Sequence, residues 1–346
     1  MDANTVFYTP WLSKSNMLTN CNQLYDQSQL FESFEPGDLV AIKFHSGELG
    51  NPNYIRPFFI HHIYQKLKEK GCKPFLTDTT TYYRAQRNNA VDHIQTAIAN
   101  GFGFAPFIIA DGLKGENAIP VQSPDPLLDQ VEVAGAIYHA DAMIVVSHIK
   151  GHPLAGFGGA IKNMGMGCTS KKTKLAQHRL INMTLAIDLC QGCGACMSAC
   201  RFDIPVIQNN HIVIDHPECM RCPACSNACP QGVIQLHNKS MLGKGLAIAA
   251  KGVLSTFKPN KVAYISFAVD ITTHCDCLPI PGQFLSPNHG VFCGMNPISM
   301  DSAALNCIDE TQLNKLHQTC CRTQVEELAR LYNQSLVTPN LKTIDC

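Results

Sequence analysis

The chain has 346 residues, of which 45% are hydrophobic and 16% charged, a composition typical of a folded globular protein and not of a disordered one. Lys plus Arg and Asp plus Glu number 27 each, so no overall charge draws the protein to nucleic acid or anionic lipid. Residues 1–20 lack the basic start and apolar core of a signal peptide, and no run reaches the roughly 18 apolar residues of a membrane span. We therefore expect a cytoplasmic protein without nucleic-acid or membrane partners.

Strands and helices alternate along the first half of the chain. Apolar runs bounded by turn residues predict buried strands at 39–43, 74–77, 107–110 and 142–147. Helices are predicted at 57–70, which has a proline in its first turn, and at 91–100, which ends before Gly101. Such alternation predicts a mostly parallel sheet with helices on both faces.

A cysteine-rich segment interrupts this pattern at about 188–235, and α/β elements then resume. The later elements predicted are a helix at 240–257, a strand at 261–269, and helices at 301–308 and 324–335. We therefore predict an α/β fold, a mostly parallel-sheet body with an inserted ferredoxin-like (α+β) two-cluster module. The corresponding boundaries are 1–180 and 239–346 for the body and 181–238 for the insertion.

Two cysteine runs of identical C-x2-C-x2-C-x3-C spacing lie 29 positions apart in this segment and indicate an internal duplication. In this arrangement the last cysteine of each run binds the cluster of the other run. The sequence thus predicts two 4Fe-4S clusters, one held by Cys190, Cys193, Cys196 and Cys229 and the other by Cys219, Cys222, Cys225 and Cys200. Paired C-x2-C motifs also bind zinc, but four cysteines in each run are not typical of zinc ribbons.

A second site is indicated where polar residues follow the predicted strands, because open α/β sheets bind ligands at the carboxyl ends of their strands. His148, His152 and Lys162 follow the strand at 142–147 and are candidate catalytic residues, although either histidine alone is equally well a polar loop residue. His45 and Glu48 follow the strand at 39–43 and are the next candidates.

Two further features of these loops are open to alternative interpretations. Asp78 follows the strand at 74–77 and either joins the same site or caps a helix. Gly158 and Gly159 could open a helix whose N-terminus binds an anion.

A C-x-C pair, Cys275 and Cys277, follows the strand at 261–269. In a reducing compartment such a pair is a ligand pair or a redox pair, and its disulfide would be strained. Together with Cys168 it supplies three thiolates, enough for a third cluster or a soft metal ion. The alternative is that all three are small buried residues. The same buried role is assigned to the cysteines without helpful spacing: Cys21, Cys72, Cys293, Cys307, Cys320, Cys321 and Cys346.

The stretches 43–51, 77–80, 87–93, 110–115, 148–168 and 276–277 resemble the DUF362 family of iron-sulfur proteins, whose ferredoxin module also lies within the chain. The resemblance implies a cytoplasmic iron-sulfur protein. It also implies a body distantly similar to the lactate racemase family, with catalysis in a cleft near His148 and Lys162, but it does not establish a nickel cofactor. Asn288 and Asn296 stand where the family usually has acidic residues, which puts an acidic role there in doubt.

Three functional hypotheses follow. In the first, an oxidoreductase, the clusters exchange single electrons with a partner protein and serve a small-molecule substrate or a metal centre in the α/β body. In the second, the protein is a non-catalytic electron carrier or scaffold for a redox partner. In the third, the clusters regulate a non-redox enzyme. The sequence names no substrate.

Overall fold

The computed structural model of the chain describes residues 4–11, 14–336 and 338–344. Cys346 lies outside these residues. The strands, in chain order, are β1 (Thr5–Pro10), β2 (Leu39–Lys43), β3 (Lys73–Asp78), β4 (Phe107–Ile109), β5 (Ala118–Gln122), β6 (Gln130–Ala134), β7 (Ala142–His148), β8 (Lys150–His152), β9 (Gly156–Gly158), β10 (Asn182–Leu185), β11 (Val206–Gln208), β12 (His211–Val213), β13 (Ile234–His237), β14 (Val262–Ala268), β15 (Gly290–Gly294) and β16 (Asn340–Thr343).

The helices, in chain order, are α1 (Met17–Gln27), α2 (Pro57–Glu69), α3 (Ala90–Ala99), α4 (Gly135–Tyr138), α5 (Ala160–Gly167), α6 (Lys171–Arg179), α7 (Ala195–Ala199), α8 (Ala224–Ala228), α9 (Met241–Leu254), α10 (Pro297–Leu305), α11 (Glu310–His317) and α12 (Thr323–Leu331). None of the helices in the described part of the chain is long and apolar enough to cross a membrane.

Within the described residues the central sheet has eight strands, in the order β16-β1-β15-β14-β7-β2-β3-β4. The five strands from β14 to β4 are mutually parallel. On the other side of β14, β15 is antiparallel to both of its neighbours, and β16 pairs in parallel with β1 at the edge. The predicted α/β fold with a mostly parallel sheet is confirmed.

The two faces of the sheet are covered by separate hydrophobic cores, and β7 contributes to both. Met143 and Val145 belong to one core, while Ile144 and Val146 belong to the other. This alternation is the two-residue period of a strand, and burial on both faces explains why the sequence of β7 is continuously apolar. Residues of α5, α9 and α12 complete the first core, and residues of α2 complete the second.

Most of the predicted elements occur within a few residues of their predicted ends, and the strand at 39–43 matches β2. The helix predicted at 301–308 begins earlier, at Pro297, because the side chain of Asn296 accepts a hydrogen bond from the Ile298 N–H and caps it. The sequence did not predict β1 or β15, which form the antiparallel side of the sheet.

The cysteine-rich segment forms a small α+β unit that is compatible with an inserted module. Its flanking strands β10 and β13 pair antiparallel, with Asn182 opposite His237, so the chain enters and leaves at adjacent points. Between them lie the short helices α7 and α8 and the hairpin β11–β12. A small core, which includes Ile212, Val233 and Ile234, packs this unit together.

Candidate functional site

The carboxyl ends of β14, β7, β2 and β3 lie side by side and form one edge of the sheet. The loops that follow these strands contact one another. The N–H of Glu48, after β2, donates to the carbonyl of Asp276, after β14, at 2.9 Å. The sequence placed its candidate residues after these strands, and the structure gathers the loops at the edge where α/β sheets bind ligands.

A buried ion-pair network lies beneath these loops. The Nζ of Lys43 is 3.1 Å from one carboxylate oxygen of Asp78, and the Nη1 of Arg87 is 3.4 Å from the other. Burial acts to raise the pKa of Asp78, but the charges of Lys43, of two histidines and of Arg87 outweigh it and hold the pKa well below its usual range. Asp78 is therefore a charged member of this network. It does not cap α3, whose cap is Asn89.

Glu48, a predicted catalytic residue, belongs to the same network. Its Oε2 accepts from the Nε of Arg87 at 3.2 Å and lies 3.4 Å from the hydroxyl oxygen of Tyr83. Its Oε1 is buried and has no hydrogen-bond partner among the described residues. Glu48 is thus fixed in position with one oxygen still able to accept a hydrogen bond.

Both ring nitrogens of His148 are engaged by acceptors. Its Nδ1 is 2.8 Å from the carboxylate of Asp276, and its Nε2 is 2.8 Å from the carbonyl oxygen of Val269. Burial acts to raise the pKa of Asp276, but the adjacent His148 and then Lys150 lower it to about 2, so the carboxylate is ionised. Both nitrogens are therefore committed to partners within the protein. In this arrangement His148 holds the Asp276 loop and has no free lone pair for catalysis.

Lys150 supports the same loop from below. Its Nζ donates to the carbonyl oxygens of Asn53 and Asp270 and to the hydroxyl of Thr272, and it lies 3.7 Å from Asp276. Burial is the main cause of the lowered pKa of Lys150. No role was predicted for this lysine from the sequence, and its contacts identify it as a structural support of the loop.

His45 and His152 are neutral. Burial, followed by the nearby charge of Arg87 for His45 and of Lys162 for His152, lowers the pKa of each well below the usual range. In His45 the Nδ1 accepts the N–H of Gly47 at 3.0 Å. In His152 the Nδ1 accepts the N–H groups of Leu154 and Ala155 at 3.2 and 2.9 Å. Each neutral ring therefore carries its proton on Nε2.

Lys162, on α5, has no hydrogen-bond or ion-pair partner among the described residues. Burial, and then the positive charge of Lys43, lowers its pKa to about 8. The negative charge of Asp276 opposes this shift, so Lys162 lies near the Asp276 loop. The positive charge of Lys162 in turn lowers the pKa of His152, so Lys162 also lies near that ring. Its unpaired ammonium suits it to an anionic group of a ligand.

Cys275 and Cys277 form a disulfide, and a ring nitrogen of His152 completes a group with them. The nitrogen and the two sulfur atoms all lie within 4.8 Å of one another. Cys168 is not part of this group, so the structure does not support the predicted set of three thiolates. Its sulfur is fully buried in the core, 4.0 Å from the sulfur of Met143, and burial raises its pKa to about 12. The hydrophobic packing of α5 turns this side chain away from the loops.

The N-terminus of α5 is already occupied by a carboxylate of the chain itself. Asp301, on α10, accepts the N–H of Ala160 at 2.6 Å and the N–H of Ile161 at 2.9 Å. A Cβ on Gly159 would meet this carboxylate at 2.3 Å, which explains the glycine. The predicted anion site at Gly158 and Gly159 is therefore wrong, because Asp301 satisfies the free amides.

In the cysteine-rich unit, Cys229 of the second run lies beside the first run. Burial raises the pKa of the Cys196 thiol, and the neighbouring thiols of Cys193 and Cys229 raise it further. Two main-chain amides point at sulfur: Ile212 N–H donates to Cys190 at 3.3 Å, and Val233 N–H donates to Cys229 at 3.4 Å. Such amides stabilise a negatively charged metal-thiolate centre.

The fourth cysteine of the first run, Cys200, lies beside the second run. Burial raises the pKa of Cys225 to about 12, and the thiols of Cys222, Cys219 and Cys200 contribute in that order. These four thiols border a small cavity whose other walls include Phe202 and Met220. The donor set and the apolar surroundings fit a metal-sulfur cluster.

An aromatic loop after β3 joins this unit to the sheet edge. The ring of Tyr82 is 5.5 Å from that of Phe202, and its hydroxyl donates to the carbonyl of Glu218 at 3.1 Å. The guanidinium of Arg201 lies 5.7 Å over the ring of Tyr83, and the Tyr83 hydroxyl donates to the carbonyl of Cys277 at 2.9 Å. Tyr83 therefore contacts the residue next to Cys200 and the disulfide loop at the same time.

The fold and these contacts define an α/β protein with a cysteine-rich α+β unit placed beside polar, largely buried loops at the carboxyl edge of the sheet. The chain belongs to the family described as "Domain of unknown function (DUF362)", whose model matches residues 40–306. The predicted family is thereby confirmed.

The solved structures that are similar to this chain include two proteins. One is the lactate racemase apoprotein from Thermoanaerobacterium thermosaccharolyticum, with 16% identity, a TM-score of 0.42, and coverage of 77% of this chain and 51% of that one. The other is a protein from Thermotoga maritima, with 12% identity, a TM-score of 0.36, and coverage of 74% and 52%. The chain thus spans about half the length of each. No curated protein matches the chain.

Proposed function

We propose that this chain is an iron-sulfur oxidoreductase. Eight cysteines hold two 4Fe-4S clusters, and single electrons pass from them to the cleft at the carboxyl edge of the sheet. The observation that carries the proposal is the crossing of the two runs, with Cys200 beside Cys219, Cys222 and Cys225, and Cys229 beside Cys193 and Cys196. When bound, the clusters supply one-electron transfer.

The exposed side of the first cysteine run supports contact with an electron donor or acceptor protein. Cys193 is exposed, and the nearby apolar side chains of Leu189 and Met197 are 51% and 41% exposed. Apolar surface of this kind beside a redox centre suits a transient protein contact. Electrons enter or leave here, while the cluster assigned to Cys200 and the second run faces the body through Arg201 and Phe202, the residues that follow Cys200.

Inside the body, the acceptor is a small substrate or a centre in the cleft. Lys162 binds an anionic group of the substrate, and the Nε2–H of His45 is available as a hydrogen-bond donor. Glu48 and His148 hold the loops around this position, as their contacts with Arg87 and Asp276 indicate. His148 is a positioning residue in this account and not a general base.

A second candidate, a non-catalytic electron carrier or scaffold, is favoured by one observation. His148 and Arg87 are residue types that bind substrates in many enzymes, but here their polar groups form hydrogen bonds with other residues of the protein. The unpaired Lys162 is what favours the enzyme over the carrier. In a carrier, substitution of Lys162 would leave every redox property unchanged.

The test is anaerobic reconstitution of the full chain, followed by iron and sulfide analysis and electron paramagnetic resonance of the reduced protein. We expect about eight irons and eight sulfides per chain, and signals from two interacting centres. Stoichiometric zinc without sulfide would overturn the proposal. Oxidation of the reduced protein by candidate anionic substrates, compared between wild type and Lys162→Met, separates the enzyme from the carrier.

A further inference from the structure

Cys275 and Cys277 are bonded to each other by a disulfide. A disulfide across so short a loop removes little conformational freedom from the unfolded chain, because the stabilisation grows with the length of the loop that is closed. In a chain so rich in free thiols, stabilisation of the fold is a weak explanation for this particular bond.

The backbone around the pair is held by contacts that do not depend on the bond. The carboxylate of Asp276 pairs with His148, and its carbonyl oxygen accepts from Glu48. The carbonyl oxygen of Cys277 accepts from the Tyr83 hydroxyl, and that of Leu278 accepts from Asn51 at 2.8 Å. Opening the S–S bond therefore leaves the backbone of the loop in place, while the two sulfur atoms move apart by rotation of their side chains.

The hydrogen bonds of His152 favour a redox pair over a metal site at this position. A metal ligand must present a lone pair, and the Nδ1 lone pair already accepts two main-chain amides. Ligation through Nε2 would require a proton on Nδ1, directly facing those two donors. The ring is instead set to donate its Nε2–H, which suits a thiolate sulfur as the acceptor.

We propose that Cys275 and Cys277 are a redox-active disulfide that accumulates two electrons in the cleft, with the His152 Nε2–H stabilising the thiolate formed. This inference rests on the proposed function, which supplies the reductant: a pair of one-electron-reduced iron-sulfur clusters. Two electrons break the S–S bond and give two thiolates, one of which takes a proton from water. The oxidant that reforms the bond is a substrate that accepts two electrons, such as a disulfide or another electrophile with an anionic group for Lys162.

The position of the pair agrees with this role. Tyr83 joins the loop to Arg201, the neighbour of Cys200 in the cysteine-rich unit. Cys275 is buried, whereas Cys277 is partly exposed, so one sulfur is accessible to a substrate and the other is protected. Lys162 lies near both His152 and Asp276, and a cation at this position favours thiolates over thiols.

The test is thiol trapping on the full, cluster-loaded chain under anaerobic conditions. Protein as isolated, protein reduced by dithionite, and protein equilibrated in dithiothreitol redox buffers are quenched in acid and alkylated, and each cysteine is read by peptide mass spectrometry. We expect Cys275 and Cys277 to be blocked as isolated, labelled together after either reductant, and to titrate as one two-electron couple. Cys320, which is exposed and not buried as predicted from the sequence, is the internal reference.

Variants test the role of His152. His152→Gln is expected to slow alkylation of the reduced pair about tenfold at neutral pH and to move its pH profile upward, the effect of losing one hydrogen bond to a charged acceptor. His274→Gln, a change next to Cys275 but outside the group, should alter neither. Equal rates in all three proteins would contradict the assigned role.

Two results would overturn the inference itself. One is labelling of both cysteines in every state, and the other is that both stay blocked after dithionite and also after dithiothreitol. Protection by a stoichiometric metal that a chelator removes would replace the redox pair with a metal site. If no clusters form, the proposed function fails while the dithiothreitol arm still decides the redox pair. If clusters form and are reduced but the pair stays blocked, this inference alone fails.

Discussion

The hydroxyl of Tyr83 donates a 2.9 Å hydrogen bond to the carbonyl oxygen of Cys277, across 194 positions of sequence. The same hydroxyl accepts a hydrogen bond from the Nη2 of Arg87 at 2.8 Å, and the ring lies under Arg201. One side chain thus joins the cysteine-rich unit, the buried ion-pair network and the disulfide loop. Its hydroxyl and its ring can be tested separately.

Tyr83→Phe removes the hydroxyl and keeps the ring under Arg201. We expect a loss of about 1–3 kcal/mol in the free energy of unfolding, because a buried carbonyl and a guanidinium N–H each lose a partner. Electron transfer to the Cys275 and Cys277 pair should slow while the cluster content stays unchanged. Urea unfolding and thiol trapping measure the two effects. Tyr82→Phe is the matched control, and a loss as large as that of Tyr83→Phe would contradict the special position of Tyr83.

Lys43 is buried and Lys162 is partly buried, but among the described residues only Lys43 has partners, which include Asp78 and Asn163. Lys43→Met should reduce the free energy of unfolding by about 3–5 kcal/mol, because it leaves a buried carboxylate without its cation. Lys162→Met should leave it unchanged or raise it, since the lost charge has no partner. Denaturant unfolding near pH 7 measures both. Equal losses would mean that Lys162 is paired within the protein.

The lowered pKa of Lys162, about 8, also predicts a pH dependence. Between about pH 8 and pH 10 the unfolded chain keeps this proton while the folded chain loses it. Because the unfolded state then binds more protons, this lysine makes stability rise with pH across the window. The difference in unfolding free energy between wild type and Lys162→Met should change by about 1 kcal/mol or more between pH 7.5 and pH 10. A constant difference would contradict the lowered pKa.

The raised pKa of Asp301 predicts that stability falls as pH rises, which is opposite to the effect of Lys162. Its burial raises the pKa to about 7, although the amides of Ile161 and Ala160 lower it. The folded state therefore holds this proton at pH values where the unfolded state has lost it, and stability falls as pH rises from about 4 to about 7. Asp301→Asn should reduce this slope between about pH 4 and pH 7. Asn296→Ala, which removes a helix cap without a titrating group, should cost about 1 kcal/mol across the whole range. Parallel curves for wild type and Asp301→Asn would contradict the prediction.

The sequence predicted the fold well where burial is continuous. The strands β2 and β7 are apolar on both faces, so their sequences alone identify them. The family was also predicted, and the loops that carry the candidate residues meet at one edge of the sheet, as expected. The antiparallel strand β15 was missed, because its five residues include two glycines and carry little strand signal.

The contacts within the site could not be predicted, because they join residues far apart in sequence. Arg87 reaches Glu48 across 39 positions, and Asp301 reaches Ile161 across 140. Such pairing depends on how the helices pack on the sheet, which periodicity does not encode. The same packing places the Cys168 side chain in the core. It also brings the carboxylate of Asp301 to the free amides of α5, from which it accepts hydrogen bonds. The cysteine runs differ in this respect, since their spacing alone specifies a pairing that is testable in the protein.

The most direct test of the central claim uses Cys200, which is predicted to serve the cluster of the other run. Cys200→Ser is reconstituted anaerobically beside wild type and Cys320→Ser, which removes an exposed thiol outside both runs. Iron, sulfide and electron paramagnetic resonance are measured on the reduced proteins. The account predicts about eight irons in wild type and in Cys320→Ser, with Cys200→Ser losing or altering the cluster of Cys219, Cys222 and Cys225 and keeping the other. Tightly bound zinc without sulfide, or loss of the cluster of Cys190, Cys193 and Cys196 instead, would contradict it.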